Sequence, residues 1–161
     1  MSRRPKIYIE STIPGYLTSR PSRDIVKLAR QRLTRIWWRD VLPTTDPVIS
    51  GFVLQEIRRG DPDAARRREA AITNFEILDS VPLVEEIAQL LIRKLAIPKR
   101  AHLDAYHLGI SVVYQVDYVL SWNFDHIVGA PVRRTFAEIG RELDLVMPTL
   151  ATPEDFLGGN T

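Results

Sequence analysis

Lys6-Ile7-Tyr8-Ile9-Glu10-Ser11-Thr12 decides how this chain folds. Ile7, Tyr8 and Ile9 follow one another with no polar alternation, so both faces of the pleat are apolar. That pattern belongs to a strand buried on both sides rather than to a half-exposed one. An acid follows at once, and an acid closing a buried apolar strand is costly unless it is paired or metal-bound. Short β-prone runs recur at Pro47-Val48-Ile49, Phe75-Glu76-Ile77-Leu78, Tyr118-Val119-Leu120-Ser121 and the strand-like Leu145-Val146-Met147.

Helices are expected between these runs. The first strand ends just before Pro14-Gly15, and Ser22 can then cap a helix over about 23–40. Its Val26, Ala29, Leu33, Ile36 and Trp37 fall within an arc of roughly 100°, which predicts the core-facing stripe. Trp38 projects beyond that arc, on the side of Lys27, and is expected at a protein–protein contact, where aromatics are enriched. Ser50 leads into a helix that carries Glu56 and stops at Gly60, and Asp61-Pro62 opens another with Asp as N-cap and Pro at N1. Further helices are expected over about 84–95, 103–114 and 132–142, and Thr152-Pro153-Glu154 opens a short terminal one. Strands alternating with helices imply an α/β protein with a parallel sheet covered on both faces. The 161 residues favour a single domain, and no repeat, low-complexity tract or linker divides them.

Composition narrows the chemistry. There is no cysteine, which excludes disulfides, thiolate zinc sites, iron–sulfur clusters and thiol catalysis together. No apolar run approaches the ~18 residues of a membrane span, and the amino terminus lacks a signal peptide's apolar core. The expectation is a cytoplasmic protein with no membrane partner. The net charge of +2 conceals an asymmetry: residues 1–40 hold ten Lys/Arg against three Asp/Glu, and the remainder twelve against seventeen. A cationic quarter on an acidic body points to a polyanion on one side.

The nucleotide-loop, P-loop and nucleophile-elbow motifs are absent, and no two of His102, His107 and His126 stand at the i, i+4 spacing of a helical zinc site. A carboxylate constellation remains. In open parallel sheets, ligands bind outside the carboxyl ends of the strands. Glu10 sits at such an end, Asn123 and Asp125 follow the fourth strand, and Asp104 and Glu56 lie on helices able to reach the same crevice. Two to four convergent oxygen ligands suit Mg²⁺ or Mn²⁺, ions that activate water and stabilise charge on a phosphodiester. Each residue also has a structural reading. Glu56 can pair with Arg59 at i, i+3, Asp104 can stabilise the first turn of its helix, and Asn123 can serve a turn. Asp125 reads as a helix-capping or surface acid, and His107, on one face with Asp104, as a hydrogen-bonded structural histidine.

Taken together, Tyr8-Ile9-Glu10-Ser11-Thr12, Leu54-Gln55-Glu56-Ile57, Asp104-Ala105-Tyr106-His107 and Val119-Leu120-Ser121-Trp122-Asn123-Phe124-Asp125-His126-Ile127 give the chain its resemblance. It resembles PIN-domain proteins, particularly VapC-type toxins of bacterial type II toxin–antitoxin modules. Gly60-Asp61-Pro62 and the closing Thr152-Pro153-Glu154 fit the same branch, and the similarity spans about residues 6–157. The resemblance implies a three-layer α/β/α PIN-like fold with a central parallel sheet, and a Mg²⁺- or Mn²⁺-dependent endoribonuclease. Glu10, Glu56 and Asp104 match the three acids, and Asn123 falls where many PIN domains place a fourth. On this reading Glu10 and Asp104 bind the principal metal, and Glu56 orients or coordinates the attacking water. Asn123 positions an outer-shell water or a phosphate oxygen, with Asp125 in support. Thr12 or Ser11 supplies the hydroxyl that many relatives place after the first acid. Glu10 stands in place of the more usual Asp, and Asn123 brings no charge. Basic residues along the first long helix, among them Arg23, Lys27, Arg30 and Arg35, would bind RNA phosphates. A cognate antitoxin and a homodimer are the implied protein partners. The alternative is a PIN-like protein- or RNA-binding module that has lost hydrolysis.

Overall fold

Ile7, Tyr8 and Ile9 are all fully buried, although successive strand residues point to opposite faces of a sheet. Both faces are therefore covered, as the unbroken apolar run requires. In the computed structural model, which describes residues 2–158, β1 (Lys6–Ile9) is the central strand of five. The others are β2 (Asp46–Ser50), β3 (Glu76–Leu78), β4 (Tyr118–Leu120) and β5 (Thr149–Ala151). Their order is β3-β2-β1-β4-β5, and every neighbouring pair is parallel. Tyr8 stands opposite Val48 on one side and Val119 on the other. The order reverses between β1 and β4, which opens a crevice beyond their carboxyl ends, the usual ligand position in such sheets.

A first helix, α1 (Thr12–Thr18), occupies the stretch around Pro14-Gly15 that reads as a break. Pro14 lies in its first turn, where the missing N–H has no intrahelical partner to lose. The second helix, α2 (Ile25–Asp40), starts later than expected. Asp24 rather than Ser22 caps it, accepting from Lys27 N at 2.9 Å, while Ser22 Oγ accepts from Asp24 N.

The expected stripe on α2 is only partly turned to the core: Trp37 is buried and Leu33 packs against the core, but Val26, Ala29 and Ile36 are exposed. The buried residues of α2 are Gln31, Thr34 and Trp37, whereas Ile25 and Val26 are 81% and 53% exposed. The polar groups of Gln31 and Thr34 on the inward face have their hydrogen bonds made, while Nε1 of Trp37 is buried without a partner among the described residues. Gln31 donates to Ser19 Oγ and Arg20 O and accepts from Ser22 N, and Thr34 Oγ1 donates to Arg30 O and accepts from Trp122 Nε1. Trp38 finds its partner inside the chain, half-buried with its ring 5.6 Å from that of Phe75. The expected role for Trp38 in a protein–protein contact gives way to packing.

Ser50 caps α3 (Gly51–Ile57), and Gly60 beyond it takes the left-handed φ of +84°. Asp61 caps α4 (Pro62–Ala71), accepting from Ala64 N, as the Asp-Pro pair predicts. Two further helices, α5 (Pro82–Lys94) and α6 (His102–Val113), pack against each other. A Cβ on Gly109 would stand 3.2 Å from Val84 O and Ala88 N, so a side chain there would press the two helices apart by a few tenths of an ångström. The last helix, α7 (Ala130–Leu143), ends at Asp144 in the left-handed region, and Leu145 N bonds back to Gly140 O. Leu145-Val146-Met147 therefore closes a helix end instead of forming a strand; Val146 is exposed, and β5 begins two residues after Met147. A 3₁₀ turn, Pro153–Phe156, follows with a Thr152/Asp155 capping box. No helix among the described residues is long and apolar enough to cross a membrane.

Candidate active site

Glu10 lies one residue past β1 and is 2% exposed. Its N–H donates to Leu120 O, which holds the ends of β1 and β4 together. Oε1 accepts from Thr12 N at 3.0 Å, Thr12 Oγ1 at 2.6 Å and Ser121 Oγ at 2.8 Å. Oε2 receives no protein hydrogen bond among the described residues, which leaves it as the oxygen open to a ligand. Thr12 Oγ1 also accepts from Trp122 N at 2.8 Å. Burial raises the Glu10 pKa above the ordinary carboxylate value, and the charge of His107 with the Thr12 and Ser121 hydroxyls restrains the rise.

Glu56 comes from the last turn of α3. Its Oε1 accepts from Ser11 Oγ at 2.7 Å and is bonded to Nε2 of the fully buried His107. The two hydroxyls that follow Glu10 thus serve different acids, Thr12 holding Glu10 and Ser11 holding Glu56. His107 Nδ1 lies 2.6 Å from Tyr8 Oη, which is in turn 2.6 Å from Ser50 Oγ. One buried relay, Ser50–Tyr8–His107–Glu56–Ser11, therefore joins β2, β1, α6, α3 and the start of α1. Burial alone would lower His107, but its bond to Glu56 and the charges of Glu10, Glu56 and Asp104 raise it overall. Burial alone would raise Glu56, but the His107 bond and charge, Ser11 and the more distant Arg59 charge lower it overall. Both directions favour an imidazolium–carboxylate pair, in which Nε2–H donates to Glu56 and Nδ1–H to Tyr8.

Asp104 sits in the first turn of α6 and pairs through Oδ2 with His126 Nδ1 at 3.0 Å. Burial raises its pKa; His107, the Asn123 amide and His126 pull it down, while Glu56 pushes it up, and the net shift is upward. Asn123 Oδ1 accepts from His126 N at 3.0 Å, and its carbonyl accepts from Ile127 N and Val128 N. Asn123 thus shapes the turn that aims His126 at Asp104. Asp125 is exposed in that turn, with no hydrogen bond to the cluster among the described residues.

Glu10, Glu56 and His107 form the tightest group, their ligand atoms all within 4.8 Å of one another, with Asp104 beside it and coupled through charge. His126 is the addition to the residues that sequence picks out. His107, which its i, i+3 spacing from Asp104 marks as a hydrogen-bonded structural histidine, is one, with Tyr8 and Glu56 as its partners. Two carboxylates with a free oxygen each, and a third nearby, form the hard-oxygen donor set that suits Mg²⁺ or Mn²⁺. Both nitrogens of His107 are engaged, so it orients Glu56.

Of the basic residues, Arg23, Lys27 and Arg35 are exposed. Lys27 lines a groove with Arg20, Thr12 and Tyr16, and Arg35 reaches Ser19 O at 3.4 Å. Arg30 is half-buried, its guanidinium 4.7 Å from the centre of the Phe124 ring and 5.7 Å from that of Trp122.

A five-stranded parallel sheet flanked by helices, with acids gathered at its switch point, is a PIN-like fold. No protein-family model matches the sequence, and no curated protein does. Among solved structures, the chain is similar to one in the crystal structure of VapBC2 from Rickettsia felis bound to a DNA fragment from their promoter. That superposition has a TM-score of 0.52 and 12% identity, covering 91% of this chain and 98% of the other.

Proposed function

We propose that the protein is a VapC-like, divalent-metal-dependent endoribonuclease and the toxin of a toxin–antitoxin pair. The observation that carries this reading is the convergence of Glu10 and Glu56 on one buried point at the switch of a PIN-like sheet, with Asp104 beside them. Glu10, Glu56 and Asp104 would hold Mg²⁺ or Mn²⁺. Such an ion, when bound, lowers the pKa of water and neutralises charge on a phosphoryl oxygen. The protein's own groups do the positioning. Three donors on Oε1 fix Glu10 so that Oε2 faces a ligand, and His107 keeps Glu56 ionised as an acceptor for the attacking water. The Asn123 amide sits against Asp104, where it can hold an outer water or a phosphate oxygen. Lys27 and Arg30, with Arg23 just before α2, supply charge for RNA phosphates, whereas Arg35 turns to Ser19 O.

The fold likeness to a VapBC2 chain supports an antitoxin partner. The exposed Ile25, Val26 and Ile36 of α2 offer apolar surface for that partner or for a homodimer. Asn123, an amide with its oxygen engaged in the turn, favours the second reading, a binding module without hydrolysis. Incubating the purified protein with a structured RNA separates the two. Cleavage with Mn²⁺ that stops with chelator, and falls at least about a hundredfold in Asp104→Asn (about 3 kcal/mol of barrier), is the expected result. Binding without cleavage establishes the module, and full activity in Asp104→Asn removes that residue from the site.

A further inference from the structure

We propose that Phe124, backed by Arg30, is a stacking site for one unpaired nucleotide base, on the turn that leads to the acid cluster. The proposal rests on the nuclease reading above. Phe124 is the only aromatic side chain among the described residues that is left exposed, at 42%. The other rings are buried or half-buried. This one stands on the turn, directly after Asn123, that leads from β4 to Asp104, and its ring packs beside Trp122 and Arg30.

Its position is fixed by the same turn that builds the site. Ser121 donates to Glu10, Trp122 N donates to Thr12 Oγ1, and Asn123 and His126 lead to Asp104. Trp122 is buried, with its Nε1 held by Thr34, so the backbone entering Phe124 is anchored on both sides of the sheet edge. The turn then folds back so closely that a Cβ on Gly129 would collide with the Phe124 carbonyl. The backbone that carries the ring is thus fixed by the fold itself.

Arg30 lies over this ring and over Trp122, and makes no ion pair or side-chain hydrogen bond to an acid among the described residues. An arginine on an aromatic face keeps its fork of N–H donors free for a phosphate while covering that face, so a base would stack on the ring's other face or on the outer plane of the guanidinium. An aromatic ring next to an unpaired guanidinium is the pairing that single-stranded nucleic acid uses, base on ring and phosphate on charge. A base inside an A-form duplex is already stacked, and its deep major groove is closed to side chains, so an exposed ring at this place reaches only unpaired bases.

The test uses binding with divalent metal chelated, so that cleavage does not intervene. Fluorescence anisotropy of a labelled single-stranded oligoribonucleotide, and of the same strand in a duplex, is measured for the wild type, Phe124→Ala, Phe124→Leu and Phe124→Trp. The wild type is expected to prefer the single strand. Phe124→Ala and Phe124→Leu should lose about tenfold or more of single-strand affinity while duplex affinity stays unchanged, and Phe124→Trp should restore it. Phe124→Leu keeps apolar bulk without a π face, so it separates stacking from packing if the alanine variant unfolds. No single-strand preference in the wild type, or unchanged binding in Phe124→Leu, overturns the proposal. Loss of binding to a protein partner with RNA affinity intact also overturns it. A parallel Mn²⁺ cleavage assay separates the two claims. Cleavage with no effect of Phe124 removes the stacking site alone, whereas stacking without cleavage removes the nuclease reading alone.

Discussion

Glu10, Glu56 and Asp104 share one crevice, yet their surroundings move their protons in different directions. Glu10 and Asp104 are raised, chiefly by burial, and His107 is raised by its acid neighbours against the effect of burial. Each of these holds protons more tightly folded than unfolded, so its contribution to stability is present at low pH and lost as pH rises through the folded pKa. Glu56 is lowered from its ordinary 4.5, so its contribution is present above that value and lost as pH falls through the folded pKa. The metal-free chain should therefore be most stable in a mildly acidic window and weaken toward alkaline pH. A divalent ion binds the ionised carboxylates, so its stabilisation should grow with pH. At one fixed concentration, about a hundred times the Kd at pH 8, Mg²⁺ should raise Tm by about 5 °C or more near pH 8, and by clearly less near pH 5.5. Equal Tm gains at both pH values, or none, would contradict the ionised cluster. Glu10 was legible as an acid at a strand end, Asp104 as one at a helix start, and Glu56 only as an acid on a helix able to reach the same edge. The part of His107 was not, because Glu56 lies 51 residues away in sequence and only the fold brings the two together.

At the scale of elements, α2 shows where periodicity reads the chain incorrectly. Val26, Ala29, Leu33, Ile36 and Trp37 do form an apolar arc, but of these only Trp37 is fully buried. The buried face is rotated past Trp37 toward Thr34 and Gln31, which find complete sets of partners, and a satisfied polar group carries little penalty for burial. Counting apolar residues cannot detect partners supplied by Ser19, Arg20 and Trp122. Stability measurements check this orientation. Gln31→Ala should cost about 2 kcal/mol, since it removes a side chain that holds the α1–α2 connection by three hydrogen bonds. Val26→Ser, at an exposed position, should stay within about 0.5 kcal/mol. The reverse ranking in urea unfolding would mean that the apolar arc faces the core. The displaced last strand has a related origin. Leu145-Val146-Met147 is apolar enough for a strand, but a left-handed Asp144 and the Leu145–Gly140 bond commit it to closing α7.

At the scale of the whole molecule, the alternation of strands and helices made the parallel class legible, but not the strand order. The switch between β1 and β4 sets Glu10 beside Ser121, 111 residues later, and it also brings the basic α2 against the turn carrying Phe124. The cationic quarter thus does not act as a uniform surface. Lys27 lines the groove that leads past Tyr16 to Thr12, and Arg30 sits on the ring of Phe124. Arg35 lies well round the helix from Arg30, five residues on at about 100° each, and its guanidinium turns to Ser19 O. RNA entering the crevice should therefore meet Lys27 and Arg30 but not Arg35. For a single strand, each phosphate contact adds about 0.7 to the slope of log K against log salt. Lys27→Glu and Arg30→Glu should each flatten that slope by about this amount or more and weaken binding, while Arg35→Glu leaves the slope nearly unchanged. The check is a salt titration of binding to a single-stranded oligoribonucleotide with metal chelated. Equal flattening in all three variants would place RNA along the whole outer face of α2. No flattening in any of them would assign the basic helix to solvent or to a protein partner.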